Sequence, residues 1–369
     1  MSKATLTRTD GSLQYSGEEV IGVKKVELSY LDVDHPVNDF NNMSDESVKK
    51  TPWYKMTEEI DENGNVWISI PAFATQYILD DAGNITGRKI STETIGAEGW
   101  FLNPVFGTSK NPKGIQVAKY LLDEDYCSKA GKMPYGNKKF PSTVRTNLSV
   151  KYKDDSKYTY FLLDYWTLMA LQDLALVEFA ESSMSEIMEG ITLNNIRNGA
   201  AGDGRICGAT DDVKAYRNND EEVLASGIAK MSHVADSGIY AMKYRGIENA
   251  WGNGYLFVDG IYFNGENIYV CKDTANYGDY AKYDMTNLVR PLSNTGEVHK
   301  LKFDENNLVV FPSEIKIGGS YRDSYEANAN GDRSLFLGSS LYSYNCSAAT
   351  EGQYSGADYD VFRMVRRQK

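Results

Sequence analysis

The sequence has little histidine, the side chain used most often for metal binding and for proton transfer near neutral pH. Its three histidines are His35, His233 and His299, and they do not cluster in the chain. No H-E-x-x-H motif and no Ser/His/Asp order typical of a hydrolase is present. A centre built from histidine would have to be assembled across long distances, so we expect no cofactor. Whether a metal ion is bound stays open.

Closely spaced cysteines are also lacking. The four cysteines are Cys127, Cys207, Cys271 and Cys346, and no C-x-x-C pair occurs. This spacing disfavours a zinc knuckle and a thioredoxin-like motif, and it excludes a dense disulfide framework. We expect four free thiols that are mostly buried.

Long apolar runs and an excess of positive charge are absent as well. No run of 18 apolar residues occurs, and the first twelve residues have no apolar core. We therefore expect no membrane span and no secretory signal peptide. The 51 acidic residues outnumber the 39 basic ones and give a net charge of −12. Because a protein that binds nucleic-acid phosphates needs a basic surface, nucleic acid is not an expected partner.

The first 50 residues differ in composition from the rest of the 369-residue chain. Between Leu31 and Asn63 there are nine acidic residues against three lysines, and the sequence HPVNDFNN shows no helical or strand periodicity. We interpret residues 1–50 as an arm that attaches or oligomerises the protein, followed by one domain over residues 51–369. An irregular N-terminal strand packed on the main domain is an equally good interpretation.

Two similar sequences predict β-hairpins in the body of the chain. D-x-x-G-N occurs at 61–65 and again at 80–84, each time between segments that read as strands. Asp, Asn and Gly tolerate the positive φ angles that tight turns require. With further strands predicted after residue 250, the pattern indicates an α+β fold rich in antiparallel strands.

Helices are predicted over residues 142–152 and from Asp164 to about Met188. The second segment is too densely apolar for a surface helix with one narrow apolar stripe, so we expect it to be largely buried. Its acidic residues are expected to reach water; these are Asp173, Glu178 and Glu181.

One stretch resembles a known family. The sequence YRGIENAWGN at 244–253, followed by VDG at 258–260, is similar to the R-G-x-E-N-x-W-G-N…D-G stretch of C-type-lectin folds related to formylglycine-generating enzymes. It resembles in particular the version in tailed-phage receptor-binding (tail fibre) proteins and in variable proteins of diversity-generating retroelements. Further segments similar to those proteins occur in the same order: WISIPAF at 67–73, GWFLNPVF at 99–106, LVEFA at 176–180 and VFR at 361–363.

The resemblance spans residues 52–369 and implies a C-type-lectin-like α+β fold of the formylglycine-generating-enzyme type. Such a fold has two helices packed on twisted antiparallel sheets with long loops. The resemblance implies structural roles for the motif residues Arg245, Gly246, Trp251, Gly252, Asn253, Asp259, Gly260, Phe362 and Arg363.

Several features of the family are missing from this chain. Tyr255 or Phe257 stands where the second Trp of W-E-W is usual, which affects core packing, and Asp360-Val361 replaces the small Gly before F-R. The related oxidases hold copper with a close cysteine pair, whereas only Cys346 lies in the comparable region. The E-P-N and W-N-D triplets of calcium-dependent lectins are also missing, which disfavours calcium-dependent sugar chelation.

The segment from Ser320 to Asp360 has an unusual composition. Ser, Tyr, Ala, Asp, Gly and Asn supply 30 of its 41 residues, and lysine is absent from 317 to 368. Tyr provides a large contact area at a low entropic cost, while Ser, Gly and Asn provide adaptable hydrogen bonds. Randomising the adenines of an AAC codon can also give these residue types and never gives lysine. The composition of the segment therefore favours diversification by a retroelement. A polar loop that is merely rich in Ser and Tyr is the alternative.

We therefore expect a ligand-binding surface at about 320–360. Its tyrosines lie in sequence among Ser, Asn, Ala and Asp, which predicts that they stand on the surface. The expected contact residues are Tyr321, Asp323, Tyr325, Asn328, Asn330, Arg333, Ser340, Tyr342, Tyr344 and Asn345.

The leading hypothesis is a phage or prophage receptor-binding protein of the tail. It would recognise a bacterial surface protein or glycan without catalysis, and it would sit in the virion beside other tail proteins. A homo-oligomer is expected, with a trimer suggested by analogy with tail fibres. The alternative is a fixed tail or baseplate structural protein without a diversified binding site. An enzyme is the third class, for which a carboxylate pair such as Glu351 and Asp358 would be needed; we expect no catalysis.

Overall fold

The structure is a computed structural model, and strands make up most of it. The described residues are 5–9, 12–16, 51–134, 140–179, 188, 190–191, 206–217, 221–230, 240–292, 295–316, 324–327, 332–338, 340–341, 343–346 and 360–369. Within these ranges the chain forms many strands and three α-helices, which confirms an α+β fold. In the same ranges no helix is long and apolar enough to cross a membrane.

The helices are α1 (Pro52–Lys55), α2 (Pro141–Lys151) and α3 (Tyr165–Phe179). Helix α2 begins at a proline, which fits the first turn because its missing N–H would have no partner there. Helix α3 is capped by Asp164, whose Oδ1 accepts from the Thr167 N–H at 2.7 Å. Both predicted helices are therefore present; residues 180–187 of the second prediction lie outside the described ranges.

The strands of the described ranges are numbered in chain order. They are β1 (Thr5–Thr9), β2 (Ser12–Ser16), β3 (Thr57–Ile60), β4 (Val66–Ile70), β5 (Ala74–Leu79), β6 (Ile85–Ser91), β7 (Phe101–Leu102), β8 (Gly107–Thr108), β9 (Asn111–Pro112), β10 (Ile115–Ala118), β11 (Tyr158–Leu162), β12 (Ala215–Arg217), β13 (Glu221–Val223), β14 (Gly227–Lys230), β15 (Tyr240–Tyr244), β16 (Ile247–Glu248), β17 (Tyr255–Asn264), β18 (Asn267–Val270), β19 (Asp284–Val289), β20 (Thr295–Asp304), β21 (Val309–Lys316), β22 (Ser324–Ala327), β23 (Asp332–Leu337), β24 (Tyr344–Cys346), β25 (Asp360–Val361) and β26 (Met364–Gln368).

The largest sheet runs in the order β19-β18-β17-β23-β24-β22-β20-β21, and β25 pairs with β17 beside it. It curls until β19 meets β20: the Asn287 N–H donates to Asp304 Oδ2 at 2.8 Å. The sheet is therefore nearly closed on itself. Two five-stranded sheets, β1-β2-β6-β5-β7 and β11-β26-β10-β4-β3, complete the larger layers.

The C-terminal strand β26 lies inside its sheet, between β10 and β11, and is antiparallel to both. The N-terminal hairpin β1–β2 extends another sheet, where Leu13 pairs with Ile90 of β6. Residues 1–4, 10–11 and 17–50, the rest of the expected N-terminal arm, lie outside the described ranges.

Both predicted hairpins are confirmed, and their turns are built alike. In the β3–β4 turn, Asp61 Oδ1 accepts from the Asn65 N–H at 2.9 Å and Asp61 Oδ2 accepts from Asn65 Nδ2 at 3.0 Å. In the β5–β6 turn, Asp80 and Asn84 make the same two bonds at 2.8 and 2.9 Å. The side chains of Asp and Asn thus replace turn bonds that the backbone alone would leave unmade.

Helix α3 is buried on every side, as predicted, but its carboxylates do not reach water. Asp173 is 2% exposed and pairs with Arg88, and the Glu178 carboxylate pairs with Arg245 in the core. The expectation that both would be solvated was therefore wrong. A buried charge is retained only where a partner charge and hydrogen bonds replace its hydration, and both partners come from distant parts of the chain. Glu181 lies outside the described ranges.

Candidate ligand-binding surface

The described part of the segment at 320–360 forms three neighbouring strands of the large sheet. Strand β24 lies between the other two, parallel to β22 and antiparallel to β23. Alternate residues of a strand face opposite sides of the sheet, so each strand presents one set of side chains inward and one outward. This alternation decides which of the predicted contact residues can face a ligand.

Tyr325 and Tyr344 face inward and lie in the hydrophobic core, at 0% and 1% exposure. Their ring centroids lie 6.5 and 5.5 Å from that of Phe311. The Tyr325 hydroxyl donates to the Pro291 carbonyl at 2.9 Å, and Gln172 Nε2 donates to the Tyr344 hydroxyl at 2.7 Å. The expectation that these two tyrosines stand on the surface was therefore wrong. Their neighbours in sequence are polar, whereas in the fold both rings lie near the Phe311 ring in the core.

Three further predicted contact residues are described. Asn345 is 5% exposed and donates from Nδ2 to Glu326 Oε2 on the adjacent strand at 3.1 Å. Ser340 is buried in a tight turn, in which its carbonyl accepts from the Ser343 N–H at 3.1 Å. Arg333 is half-buried on β23. The three thus belong mainly to the framework of the segment.

The remaining predicted contact residues lie outside the described ranges; they are Tyr321, Asp323, Asn328, Asn330 and Tyr342. In chain order, residues 317–323 precede β22, residues 328–331 join β22 to β23, residue 342 lies between β23 and β24, and residues 347–359 follow β24. The connections between the fixed strands therefore carry half of the predicted contact set.

The motif at 244–253 is buried and holds the core together. Arg245 Nε donates to Glu178 Oε1 at 2.9 Å, and Trp251 Nε1 donates to the Met188 carbonyl at 2.8 Å. Gly252 has φ +80°, and a Cβ there would lie 2.6 Å from the Cα of Gly190. Only glycine fits both the backbone angle and this contact.

Two other residues of the motif have defined backbone roles. Gly246 has φ +82°, and Asn253, at φ +59°, donates its N–H to the Ile191 carbonyl at 2.9 Å. The Trp251 side chain is fully buried, so it packs in the core. This position agrees with the structural role that the resemblance implies for Trp251.

Arg363 joins three parts of the chain. Its guanidinium donates to the carbonyls of Ala118, Lys119, Glu248 and Asn249, at 2.6 to 3.0 Å. Burial lowers the pKa of Arg363 to about 10, so it remains protonated at neutral pH. The adjacent Phe362 packs against Phe257.

Asp259 and Gly260 lie next to the N-terminus of α3. Asp259 Oδ2 lies 3.0 Å from Arg145 Nε, and the Gly260 N–H donates to Asp259 Oδ1 at 2.9 Å. Nearby, the Tyr277 hydroxyl donates to Asp164 Oδ2 at 2.5 Å, and burial raises the pKa of the Asp164 carboxyl. Arg145, Asp259 and Tyr277 line a groove of about 440 Å³.

All four cysteines are free and buried, as predicted. Burial raises the pKa of the Cys207 and Cys346 thiols to about 12, so both stay protonated at neutral pH. Protonated thiols are poor nucleophiles and poor metal ligands. In the ranges that the structure describes, no three His, Cys, Asp or Glu side chains are grouped so that they could hold a metal ion.

The sequence interpretation missed a cluster of tyrosines at the outer face of β17 and β18. We call it the tyrosine surface: Tyr262, Tyr269 and Tyr280 are half-buried, and Tyr283, which contacts Tyr262 and Tyr280, is buried at 8% exposure. The Tyr262 ring centroid lies 4.7 Å from that of Tyr269 at an interplanar angle of 13°, 4.7 Å from Tyr280 and 5.4 Å from Tyr283. The sequence feature that could have revealed this cluster is the two-residue turn at 265–266. A hairpin with that turn pairs Tyr262 with Tyr269.

Comparisons with known proteins add no family to this description. None of the protein-family models matches the chain, and no curated protein is significantly similar to it.

Proposed function

We propose that the protein is a ligand-binding protein of a phage or prophage tail, with a C-type-lectin-like fold. It recognises a bacterial surface protein or glycan through the connections within residues 320–360, and it does so without catalysis. The burial of Tyr325 and Tyr344 carries the proposal. These two side chains fix β22 and β24 in the core, so the connections between the strands are attached to a rigid frame.

The composition of these connections supports a binding role. Residues 317–323, 328–331, 342 and 347–359 are rich in Tyr, Ser, Asn, Gly and Ala. Binding residues occur disproportionately on loops that a rigid scaffold positions, and these residue types combine contact area with adaptable hydrogen bonding. The segment thus divides into framework residues, which include Tyr325 and Tyr344, and contact residues, which include Tyr321 and Tyr342.

The packing of the motif residues supports the lectin-like scaffold. Arg245, Trp251 and Arg363 are buried and bonded, as the family resemblance implies for residues that hold the fold. Their bonds connect the motif to α3, to Met188 and to the C-terminal strand. A scaffold closed by such long-range contacts tolerates sequence changes between its strands, because the partners in these three contacts are Glu178, Met188 and Glu248.

The first experiment compares the two classes of tyrosine. Tyr321→Ala and Tyr342→Ala are expected to weaken binding to host cells about thirtyfold, which corresponds to about 2 kcal/mol. Tyr344→Ala is the matched framework variant and is expected to lower the free energy of unfolding by about 3–5 kcal/mol, since it leaves a cavity. Binding is measured by flow cytometry, and stability by urea denaturation.

Two outcomes would count against the proposal. Unchanged cell binding by both loop variants would mean that the connections do not contact the receptor. Unfolding of both loop variants would mean that the whole segment is framework, as the fixed tail or baseplate protein requires.

Diversification is tested separately in the genome. A reverse transcriptase near a second copy of the 320–368 coding sequence, differing only at adenines, is expected.

A further inference from the structure

Two residues of the tyrosine surface, Tyr262 and Tyr269, belong to one of two parallel rows of side chains on the outer face of the sheet. Cross-strand pairing places Met285 beside Tyr269 and Tyr269 beside Tyr262. The next row along the strands, which we call the polar row, contains Asn264, paired with both Asn267 and Asp332. Residues two positions apart in a strand share a face and lie about 7 Å apart. An aromatic row thus runs beside a row of carboxamide and carboxylate groups.

Both rows are accessible. Met285 is 59% exposed, Tyr262 and Tyr269 are half-buried, and the three residues of the polar row are exposed. Neither the Tyr262 nor the Tyr269 hydroxyl forms a hydrogen bond with another described residue. In the polar row, Asn264 Nδ2 donates to Asp332 Oδ1 at 2.8 Å. Exposed clusters of large side chains rimmed by polar groups mark interaction sites.

We propose that the tyrosine surface and the polar row together bind the pyranose rings of a glycan. A pyranose has an apolar face of C–H groups and a rim of hydroxyls. One face of Tyr262 and one face of Tyr269 are covered by their mutual stacking, so the C–H face of the sugar packs on the ring surface that stays exposed. The phenol of a tyrosine offers a hydrogen bond at the edge of the same ring. Carboxamides both donate and accept, as sugar hydroxyls do. The separation of the rows lets one sugar ring contact both.

The tyrosines are held in place before any ligand arrives. The Tyr262 ring stacks on Tyr269 and lies against Tyr280, and the Tyr283 hydroxyl accepts from the Gly278 N–H at 3.3 Å. The β17–β18 hairpin fixes the register of the two central rings. Binding therefore requires little ordering of side chains, which favours affinity.

This site is separate from the residues on which the proposed function depends. None of the four tyrosines belongs to the segment at 320–360, although Asp332 of the polar row does. Asp332 directly follows residues 328–331, so the glycan site adjoins that segment in the chain. The two sites can therefore be tested by different variants and different probes.

The experiment uses an array of bacterial surface polysaccharides and short pyranose oligosaccharides. It applies the 369-residue protein and the variants Tyr262→Ala, Tyr269→Ala and Asn267→Ala. Tyr54→Ala, at a half-buried tyrosine of α1, is the matched control. We expect the wild type to retain one or more glycans, and we expect the Kd to rise at least about tenfold in both tyrosine variants. The control is expected to bind as the wild type does.

The melting temperature of each variant shows whether a loss of glycan binding is due to unfolding. If an alanine variant fails to fold, Tyr262→Phe or Tyr269→Phe replaces it, because phenylalanine retains the ring and removes only the hydroxyl. A wild type that retains no glycan, or variants that bind like the wild type, would overturn the proposal. So would a shift in sizing elution of Tyr262→Ala without any glycan binding, because it would identify the surface as a contact between copies of the chain. If the wild type binds host cells but binds no glycan on the array, the glycan site is refuted and the proposed function is not.

Discussion

Asp173 of helix α3 and Arg88 of strand β6 form an ion pair in the middle of the core, with 2.6 Å between Oδ1 and Nη1. The hydroxyls of Thr75 and Tyr77 both donate to the other carboxylate oxygen of Asp173, each at 2.9 Å. The helix is thereby tied by polar contacts to two strands of one sheet, β5 and β6.

Removing one partner of this pair should be far more damaging than removing both. We expect Asp173→Leu to lower the free energy of unfolding by about 3–5 kcal/mol, since it leaves the guanidinium of Arg88 buried without its counter-charge. The double variant Arg88→Met/Asp173→Leu should recover most of that loss. Urea denaturation of the two single variants and the double variant gives the coupling energy. Glu314→Gln, which breaks the exposed pair with Lys300, is the control and should change nothing measurable.

Two leucines on α3 should show the cost of a cavity. Leu171 and Leu174 are 1% and 0% exposed, and replacing either by Ala is expected to cost about 2–5 kcal/mol of unfolding free energy. Val150→Ala on α2, where the side chain is 62% exposed, serves as the comparison and should lie within about 0.5 kcal/mol of the wild type. Equal effects at the buried and exposed sites would contradict the position of α3.

Two glycines with nearly the same backbone angle separate strain from crowding. Gly83 has φ +78°, and a methyl group added there would meet no atom within 4 Å, so Gly83→Ala should cost about 1 kcal/mol through backbone strain alone. Gly252, at φ +80°, would in addition bring its new methyl against Gly190, so Gly252→Ala should cost about 1–3 kcal/mol more. Thermal unfolding of both variants tests this, and equal costs would mean that Gly190 moves aside.

The turn carboxylate of Asp61 should make stability depend on acid pH. Burial alone would raise the pKa of Asp61, but hydrogen bonds from Trp67 and Asn65 outweigh it, so the pKa lies below its ordinary value. A lowered pKa in the folded state stabilises the protein above the unfolded pKa of about 3.9, and this stabilisation is lost as the pH falls through the folded value.

The difference in unfolding free energy between the wild type and Asp61→Asn should therefore be largest near neutral pH and shrink below about pH 4. Urea denaturation at a series of pH values measures it. If the difference in unfolding free energy grows as the pH falls, the pKa of Asp61 in the folded protein is raised and not lowered.

Deleting residues 1–50 tests the proposed attachment arm. We expect the deletion to change the oligomeric state on sizing and the incorporation into virions, while the affinity for host cells per binding site is kept. A fall in melting temperature is also expected, because β2 pairs with β6 and its removal exposes an edge strand. Loss of cell binding by a truncated protein that is still folded would contradict the assignment.

The parts of the fold that depend on local sequence could be predicted. The two D-x-x-G-N turns form through bonds within five residues, and the burial of α3 follows from its own composition. By contrast, the solvation of Asp173 was predicted wrongly, because its partner Arg88 lies 85 positions away in the chain. Tyr325 and Tyr344 were misplaced for the same reason: their surroundings are set by Phe311 and by α3, which no local pattern reveals.

Arg363 has a consequence for the order in which the chain is made. It follows the segment at 320–360 in the chain, yet its four bonds close the contact between residues 118–119 and 248–249, and β26 after it fills the middle of a sheet. During synthesis the fold therefore cannot be completed until β26 has left the ribosome. If the segment at 320–360 is diversified as proposed, a stop codon or frameshift within it deletes the strand downstream. We expect such a chain not to fold and to be open to proteolysis, so that folding itself would screen the reading frame of every variant before assembly.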